Sequence, residues 1–295
     1  MSEINFDNFK ARCSQISAVT AESSDNPKLT EKQVEKMKEL DSKENLTEKQ
    51  KDELALLKLK DENSKIVTLS TTYIGYLMDE YAFITEGMIG IDKDFESLQM
   101  QNGTLVEHDS LVSLIQATGK PYMPNINEEG EQDRVFNDYL SGKPDAYLGN
   151  SLMEAEEIPD IKSSFDYPTF LKKIHTKLSK ANTQQVQGYL DITGAKVGFI
   201  ADCLSNTHQT VIDGLKWKLL KKLEGIAVSE ESLEFIKQWQ IIEKSTSFSH
   251  LSANLKVNIK YVEPFSEYEK QFVYDQVKRG RDFLNNFYEQ RKKLI

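Results

Sequence analysis

Between residues 136 and 265, short apolar runs alternate with helix-like stretches, and this alternation constrains the fold more than any other feature of the chain. "FNDYLSGKPDAYLG" (136–149) and "AEEIPDIKSS" (155–164) read as two strands, with "GNSLMEA" turning the chain between them. "YPTFLKKIHTKLSK" follows as a basic helix. "NTQQVQGYLDITG" (182–194) is a second helix, capped by Asn182 or Thr183 and stopped at Gly194. "AKVGFIADCLSN" has the unbroken apolar character of a buried strand. "LKVNIKYVEPF" (255–265) is another strand, and a long helix runs from about Ser266 to the end. Strands spaced by helices predict an α/β (α+β) core, a short mixed sheet with helices packed on it.

Upstream, "LTEKQVEKMKEL" (29–40) and "LTEKQKDELALL" (46–57) are near-repeats. Each opens on Thr-x-x-Gln, a capping-box pattern formed by Thr30 with Gln33 and by Thr47 with Gln50. With the polar "DSKEN" between them, residues 28–63 predict a charged helical hairpin inserted into the core, with an oligomer contact as one use. A longer apolar helix is expected over 66–86 and another over 97–118, where Leu105, Leu111, Leu114 and Ile115 keep near-helical spacing until Gly119 and Pro121 end it. "NINEEGEQDR" is an acidic, turn-rich loop. The 295 residues are expected to form one domain, completed by the strand and helix of 255–295.

No run of 18 apolar residues is present, so no transmembrane helix is expected. The start "MSEINFDNFK" lacks a basic region followed by an apolar stretch, so a cytoplasmic protein is expected. A net charge of −10 argues against non-specific coating of nucleic acid. The charge is uneven, however. From Lys162 to Lys222 there are ten lysines against four acids, or five acids when Glu224 just beyond is counted. This basic stretch fits a solvated helical face or a DNA-facing patch. The two cysteines, Cys13 and Cys203, suit a reducing compartment and are too few for an iron–sulfur cluster or a Cys-rich zinc site. The four histidines show no HxxxH spacing. Any bound metal would therefore be held by carboxylates and would be a hard ion, Mg²⁺ or Mn²⁺.

Asp145, Asp160 and Lys162 form the constellation with chemistry in it. If 143–148 and 158–163 are neighbouring strands, the two acids can meet at one end of the hairpin. Asp160 and Lys162 are two apart and share a strand face, while Ile161 points into the core. Two carboxylates and the backbone carbonyl of Ile161 can hold a divalent cation, which would neutralise phosphate charge and acidify an attacking water. Lys162 sits where it can orient that water or help deprotonate it. Glu157, three residues upstream of Asp160, would face the opposite side. Gln185 and Tyr189 are four apart on the following helix and share a face. Glu107 supplies a third carboxylate from an upstream helix. Taken singly, these residues also fit a surface salt bridge, a capping Gln185 and a core Tyr189. His108 fits a structural or exposed residue, with a DNA contact left open.

In order, however, the glutamate of "GTLVE", "GKPDAY", "IPDIKSS" and "QQVQGYLDITGA" resemble the PD-(D/E)xK nucleases of the phage recombination type, the lambda-exonuclease and YqaJ-like viral recombinase enzymes. "FKARCSQIS" is similar to that family's early Arg-x-Ser segment near the 5′ phosphate of the substrate. The matching motifs span roughly residues 9–206, and the last strand and helix fit in type. The resemblance implies a restriction-endonuclease-like core with an N-terminal helical insertion. It implies Asp145 and Asp160 as metal ligands with the Ile161 carbonyl and Glu107, Lys162 as the catalytic lysine, Gln185 and Tyr189 as the helical motif, and Arg12 and Ser14 as phosphate contacts. It further implies a Mg²⁺-dependent deoxyribonuclease, a 5′→3′ exonuclease on double-stranded DNA ends that leaves 3′ overhangs for a single-strand annealing protein, with homo-oligomeric rings as one assembly and the cytoplasm of a bacterial host as its place if it is phage-encoded. Two rival readings are an endonuclease of the same fold acting on branched or foreign DNA, and an inactive DNA-binding or assembly protein. The chain departs from the family in carrying Asp160 where a glutamate is frequent, and in the 28–63 hairpin, which has no evident counterpart.

Overall fold

A computed structural model describes residues 4–23, 29–43, 46–64, 68–90, 97–224 and 229–293. Residue 28, the Glu44–Asn45 part of the polar connection, the expected first two residues of the 66–86 helix and residues 294–295 lie outside them. In chain order the strands are β1 (Ala11–Arg12), β2 (Met123–Pro124), β3 (Val135–Phe136), β4 (Leu140–Gly142), β5 (Ala146–Gly149), β6 (Ala155–Ser164), β7 (Val197–Leu204) and β8 (Val257–Val262). The helices are α1 (Ile16–Val19), α2 (Glu31–Asp41), α3 (Glu48–Ser64), α4 (Thr71–Glu86), α5 (Leu98–Leu105), α6 (Glu107–Thr118), α7 (Tyr167–His175), α8 (Lys180–Thr193), α9 (Gln209–Lys222), α10 (Leu233–Lys244), α11 (Ala253–Lys256) and α12 (Glu267–Lys292). None among the described residues is long and apolar enough to cross a membrane.

Contacts group the chain into two compact units: residues 1–9, 17–89 and 271–295, and residues 10–16 and 90–270. The first unit is helical. Thr30 and Gln33 close a full capping box at the start of α2. At α3 only part of the expected box forms, because the Thr47 hydroxyl and N–H both turn to the Gln50 side-chain oxygen. Lys58 to Asp41 at 2.5 Å and Lys60 to Gln33 at 3.0 Å tie α3 back along α2 as a hairpin. Tyr73 and Leu77 of α4 are fully buried against Gly280 of α12, where a side chain would run into the Tyr73 ring.

The second unit is built on a five-stranded mixed sheet in the order β2-β5-β6-β7-β8, beside a small sheet β1-β4-β3. β6 and β7 run parallel with α7 and α8 between them, whereas the β5–β6 and β7–β8 pairs are antiparallel. Apolar residues at period two make the layers. One face of β6 and β7 sends Ile161, Phe199, Ala201 and Cys203 into a core with Leu111 and Leu114 of α6. The other face sends Ile200 against Val186 of α8 and Val262 of β8. Asp160 and Lys162 lie on this second face.

Several boundaries differ from those predicted. The single strand expected over 136–149 is three, β3, β4 and β5, because Pro144 has no N–H for a ladder and β4 joins the small sheet instead. The helix expected over 97–118 breaks at Val106 (φ −105°, ψ 12°), which starts α6 at Glu107. α8 is capped by Ser179, whose side chain accepts from Asn182 N, rather than by Asn182 or Thr183; its end at left-handed Gly194 is as expected. The sheet strand of 255–265 is confined to 257–262, after the short α11. Both cysteines are buried, and burial pushes their thiols up, Cys203 to about 12. Since the thiolate is the reactive form, neither should react with a disulfide reagent such as DTNB at pH 8 in the folded protein, and both should react in denaturant. Rapid labelling of the native protein would contradict their placement.

Candidate active site

Asp160 and Lys162 sit in the centre of the sheet. β6 is the middle strand, but its recorded pairing with β5 ends at Leu148–Glu157. Beyond that point Pro159 has no N–H to offer and Ile161 has one left over. Asp145, just ahead of β5, fills the gap: its Oδ2 accepts from Ile161 N at 2.6 Å. The N–H and C=O of one strand residue project to the same edge, so the Ile161 carbonyl lies on the Asp145 side. Asn125 fixes this approach, donating its backbone N–H to Asp145 O at 3.0 Å and its side-chain amide to Pro144 O at 2.9 Å.

Asp160 is fully buried. Gln185 of α8 donates to its Oδ1 at 3.0 Å. Its Oδ2 lies 2.9 Å from Lys162 Nζ as an ion pair, yet accepts no hydrogen bond of good geometry. Gln185 also donates to the Tyr189 hydroxyl at 2.8 Å, and Tyr189 donates to Lys143 O at 3.2 Å. The shared face of Gln185 and Tyr189 thus becomes a chain of hydrogen bonds from the Lys143–Asp145 turn to Asp160. Gly142 is needed beneath it, because a Cβ there would lie 2.7 Å from Tyr189 Cε1.

Glu107 is the first residue of α6, where the helix dipole favours a carboxylate. Gln132 donates to its Oε1 at 3.0 Å. Asn125 and Gln132 both come from the acidic loop after α6. They were not picked out from the sequence, and no spacing or motif singles them out. Glu157 is on the opposite face, as predicted, where Tyr122 and Lys120 donate to it at 2.6 and 2.5 Å. Arg12 and Ser14 are exposed on β1 and the turn after it, on a segment whose Cys13 and Ile16 pack on Gly188 of α8. That packs their segment on the helix that carries Gln185 and Tyr189. His108 and the exposed face of α6 do not enter the group.

Burial raises the Asp145 carboxyl well above its ordinary range, and the Asp160 charge adds to this. Burial likewise raises Asp160, against the pull of Lys162. Burial would push the Lys162 ammonium down, but the charges of Asp160 and Asp145 outweigh it and its pKa is raised. The two carboxylates therefore favour its ammonium form. Glu107 is raised by burial too, with Gln132 and Lys162 opposing. Three carboxylates and one ammonium leave excess negative charge in a buried place. Oxygen donors only, together with a buried Asp160 oxygen lacking a hydrogen bond, fit a hard divalent cation. Asp145, Asp160 and the Ile161 carbonyl would be the donors. Among the described residues no group of three acid, histidine or cysteine side chains is arranged to hold a metal ion, and the Glu107 charge adds to the rise of the Asp145 carboxyl.

No protein-family model and no curated protein matches the sequence. Solved structures do match the fold. A phage-related exonuclease from Haemophilus somnus has TM-score 0.57 at 14% identity over 96% of both chains. An alkaline exonuclease from Laribacter hongkongensis has TM-score 0.53 at 11% identity, covering 98% of this chain and 96% of that one. The same enzyme in complex with dAMP has TM-score 0.53 at 12% identity, covering 97% and 95%. The chain has the mixed α+β fold of these phage-related and alkaline exonucleases.

Proposed function

We propose that the protein is a metal-dependent DNA exonuclease, working 5′→3′ from double-stranded ends in phage-type recombination. The observation that carries the reading is the buried Asp160, held between Lys162 at 2.9 Å and Gln185 at 3.0 Å beside an Asp145 that caps the open edge of β6. The exonuclease fold of the neighbours supports it. A Mg²⁺ or Mn²⁺ ion held by Asp145, Asp160 and the Ile161 carbonyl would supply charge neutralisation at the scissile phosphate and a more acidic water. The chain's own residues do the rest. Lys162, charged, donates from Nζ to the incoming water or to a phosphate oxygen and offsets the negative charge that builds as water adds to phosphorus and the P–O3′ bond breaks. Gln185 locks the Asp160 carboxylate in one orientation, and Tyr189 locks Gln185. Gln132 does the same for Glu107. Arg12 and Ser14 would meet the 5′ phosphate of the strand end.

Two comparisons test this. Linear duplex should be degraded while covalently closed circles stay intact; nicking or linearising the circles would favour an endonuclease instead. Arg12→Ala should slow digestion of 5′-phosphorylated ends by about 10-fold or more, the worth of one charge-assisted hydrogen bond, and should leave 5′-hydroxyl ends nearly unchanged. Equal loss on both ends would remove Arg12 from the phosphate contact.

A further inference from the structure

A second polar group lies beside the first, on the same sheet face, and the proposed chemistry does not use it. The register places Lys162, Asp202 and Asn258 in one row across β6, β7 and β8, and Asp160, Ile200 and Lys260 in the next. Asp202 is only 4% exposed. A buried carboxylate is costly unless it is paired, and here two ammonium groups approach it, Lys173 and Lys260, each at 3.7 Å. Asn258 donates to it at 3.4 Å.

The two lysines are not equivalent. Lys260 Nζ is occupied: it donates to the carbonyls of Lys173 and Thr176, the latter at 2.8 Å, so it caps the C-terminal end of α7, where a cation is favoured. Lys260 thereby fixes the turn on which Lys173 stands. Among the described residues Lys173 Nζ makes long contacts, 3.4 Å to the Lys162 carbonyl and 3.7 Å to Asp202. Its side chain keeps 32% exposure, the same as that of Lys162 beside it. Lys172 adds a further positive charge on the same last turn of α7. A DNA strand entering this face meets the negative charge of Asp145, Asp160 and Glu107. An ammonium next to Lys162, with donors left over and a buried carboxylate holding it in place, offsets that repulsion at the neighbouring position.

We propose that Lys173 is a second phosphate-binding residue of this site, gripping a backbone phosphate next to the one at Lys162, with Asp202 and Lys260 as the positioning residues that hold it there. This rests on the nuclease reading of the site, but it predicts binding rather than turnover. The test is fluorescence anisotropy of a labelled DNA duplex with the full-length protein in chelator, over a series of salt concentrations. Lys173→Gln should bind about 5- to 10-fold more weakly, and its plot of log K against log salt should be shallower by about 0.9, the loss of one phosphate contact. Lys173→Met, which keeps the apolar stem, should shift the slope equally, and Lys173→Arg should restore it. An unchanged slope in the Gln and Met variants overturns the proposal, as does wild-type protein that binds no duplex. Cleavage of linear duplex by the wild type in Mg²⁺ is measured alongside. A wild type that binds with the expected slope difference but does not cleave overturns the nuclease reading and leaves the phosphate contact standing.

Discussion

Lys162→Ala should lower the rate of duplex cleavage by about 10³-fold, the scale for removing one group aimed at developing charge. Among the described residues Lys162 is the ammonium paired with Asp160, and its charge offsets those of Asp160 and Asp145 beyond what the hydrogen bonds from Gln185 and Ile161 N–H supply. The fold should suffer as well: Asp160 is fully buried, so removing its ammonium leaves the carboxylate without a cation, and a loss of about 3 kcal/mol is expected. Asp160→Asn makes the contrast. It should abolish cleavage to a similar degree and yet raise the thermal midpoint, because it removes a buried charge whose folded pKa is raised and whose ionised form therefore opposes folding at neutral pH. Cleavage by Lys162→Ala within 10-fold of wild type would take the lysine out of the chemistry.

Phe199→Ala should destabilise the protein by about 3–5 kcal/mol, the range for an aromatic side chain removed from a core. Phe199 is 1% exposed on β7, next to the middle strand, and pairs across to Pro159. It meets Tyr122 edge-on with ring centroids 6.0 Å apart and packs in the cluster that also receives Ile161. The side chain therefore supports the strand that presents Asp160 from behind. Urea unfolding followed by far-UV circular dichroism measures the effect as a fall in midpoint with an unchanged slope. A loss under 1 kcal/mol would mean that β7 does not face this core.

What the sequence revealed was what local chemistry controls. Period two was enough to put Asp160 and Lys162 on one face and Ile161 on the other. Spacing of four put Gln185 beside Tyr189, and Gly194 marked the end of their helix. The capping box at Thr30 needed only three neighbouring residues. The features that stayed hidden depend on partners far along the chain. That Asp145 takes the spare N–H of Ile161 follows from where β5 stops, and the break of 136–149 into three strands follows from β4 finding β1 in another sheet. Gln132 reaches Glu107 across 25 residues through a loop with no repeating pattern. The row of Lys162, Asp202 and Asn258 exists only once three strands are in register. The helices α9 and α10 went unread because the basic face of 209–222 carries as much charge as apolar signal. Arg12 and Ser14 stand out only through the family resemblance, and their segment packs on the helix of Gln185 and Tyr189.

The central claim is that Asp145, Asp160 and Lys162 form a metal-dependent phosphodiesterase site acting at DNA ends. It is tested most directly by incubating the protein with end-labelled linear duplex in Mg²⁺ and, in parallel, in excess chelator. Release of labelled mononucleotides in Mg²⁺, and none in chelator, is the predicted result. No release with either Mg²⁺ or Mn²⁺, or release undiminished by the chelator, would contradict it.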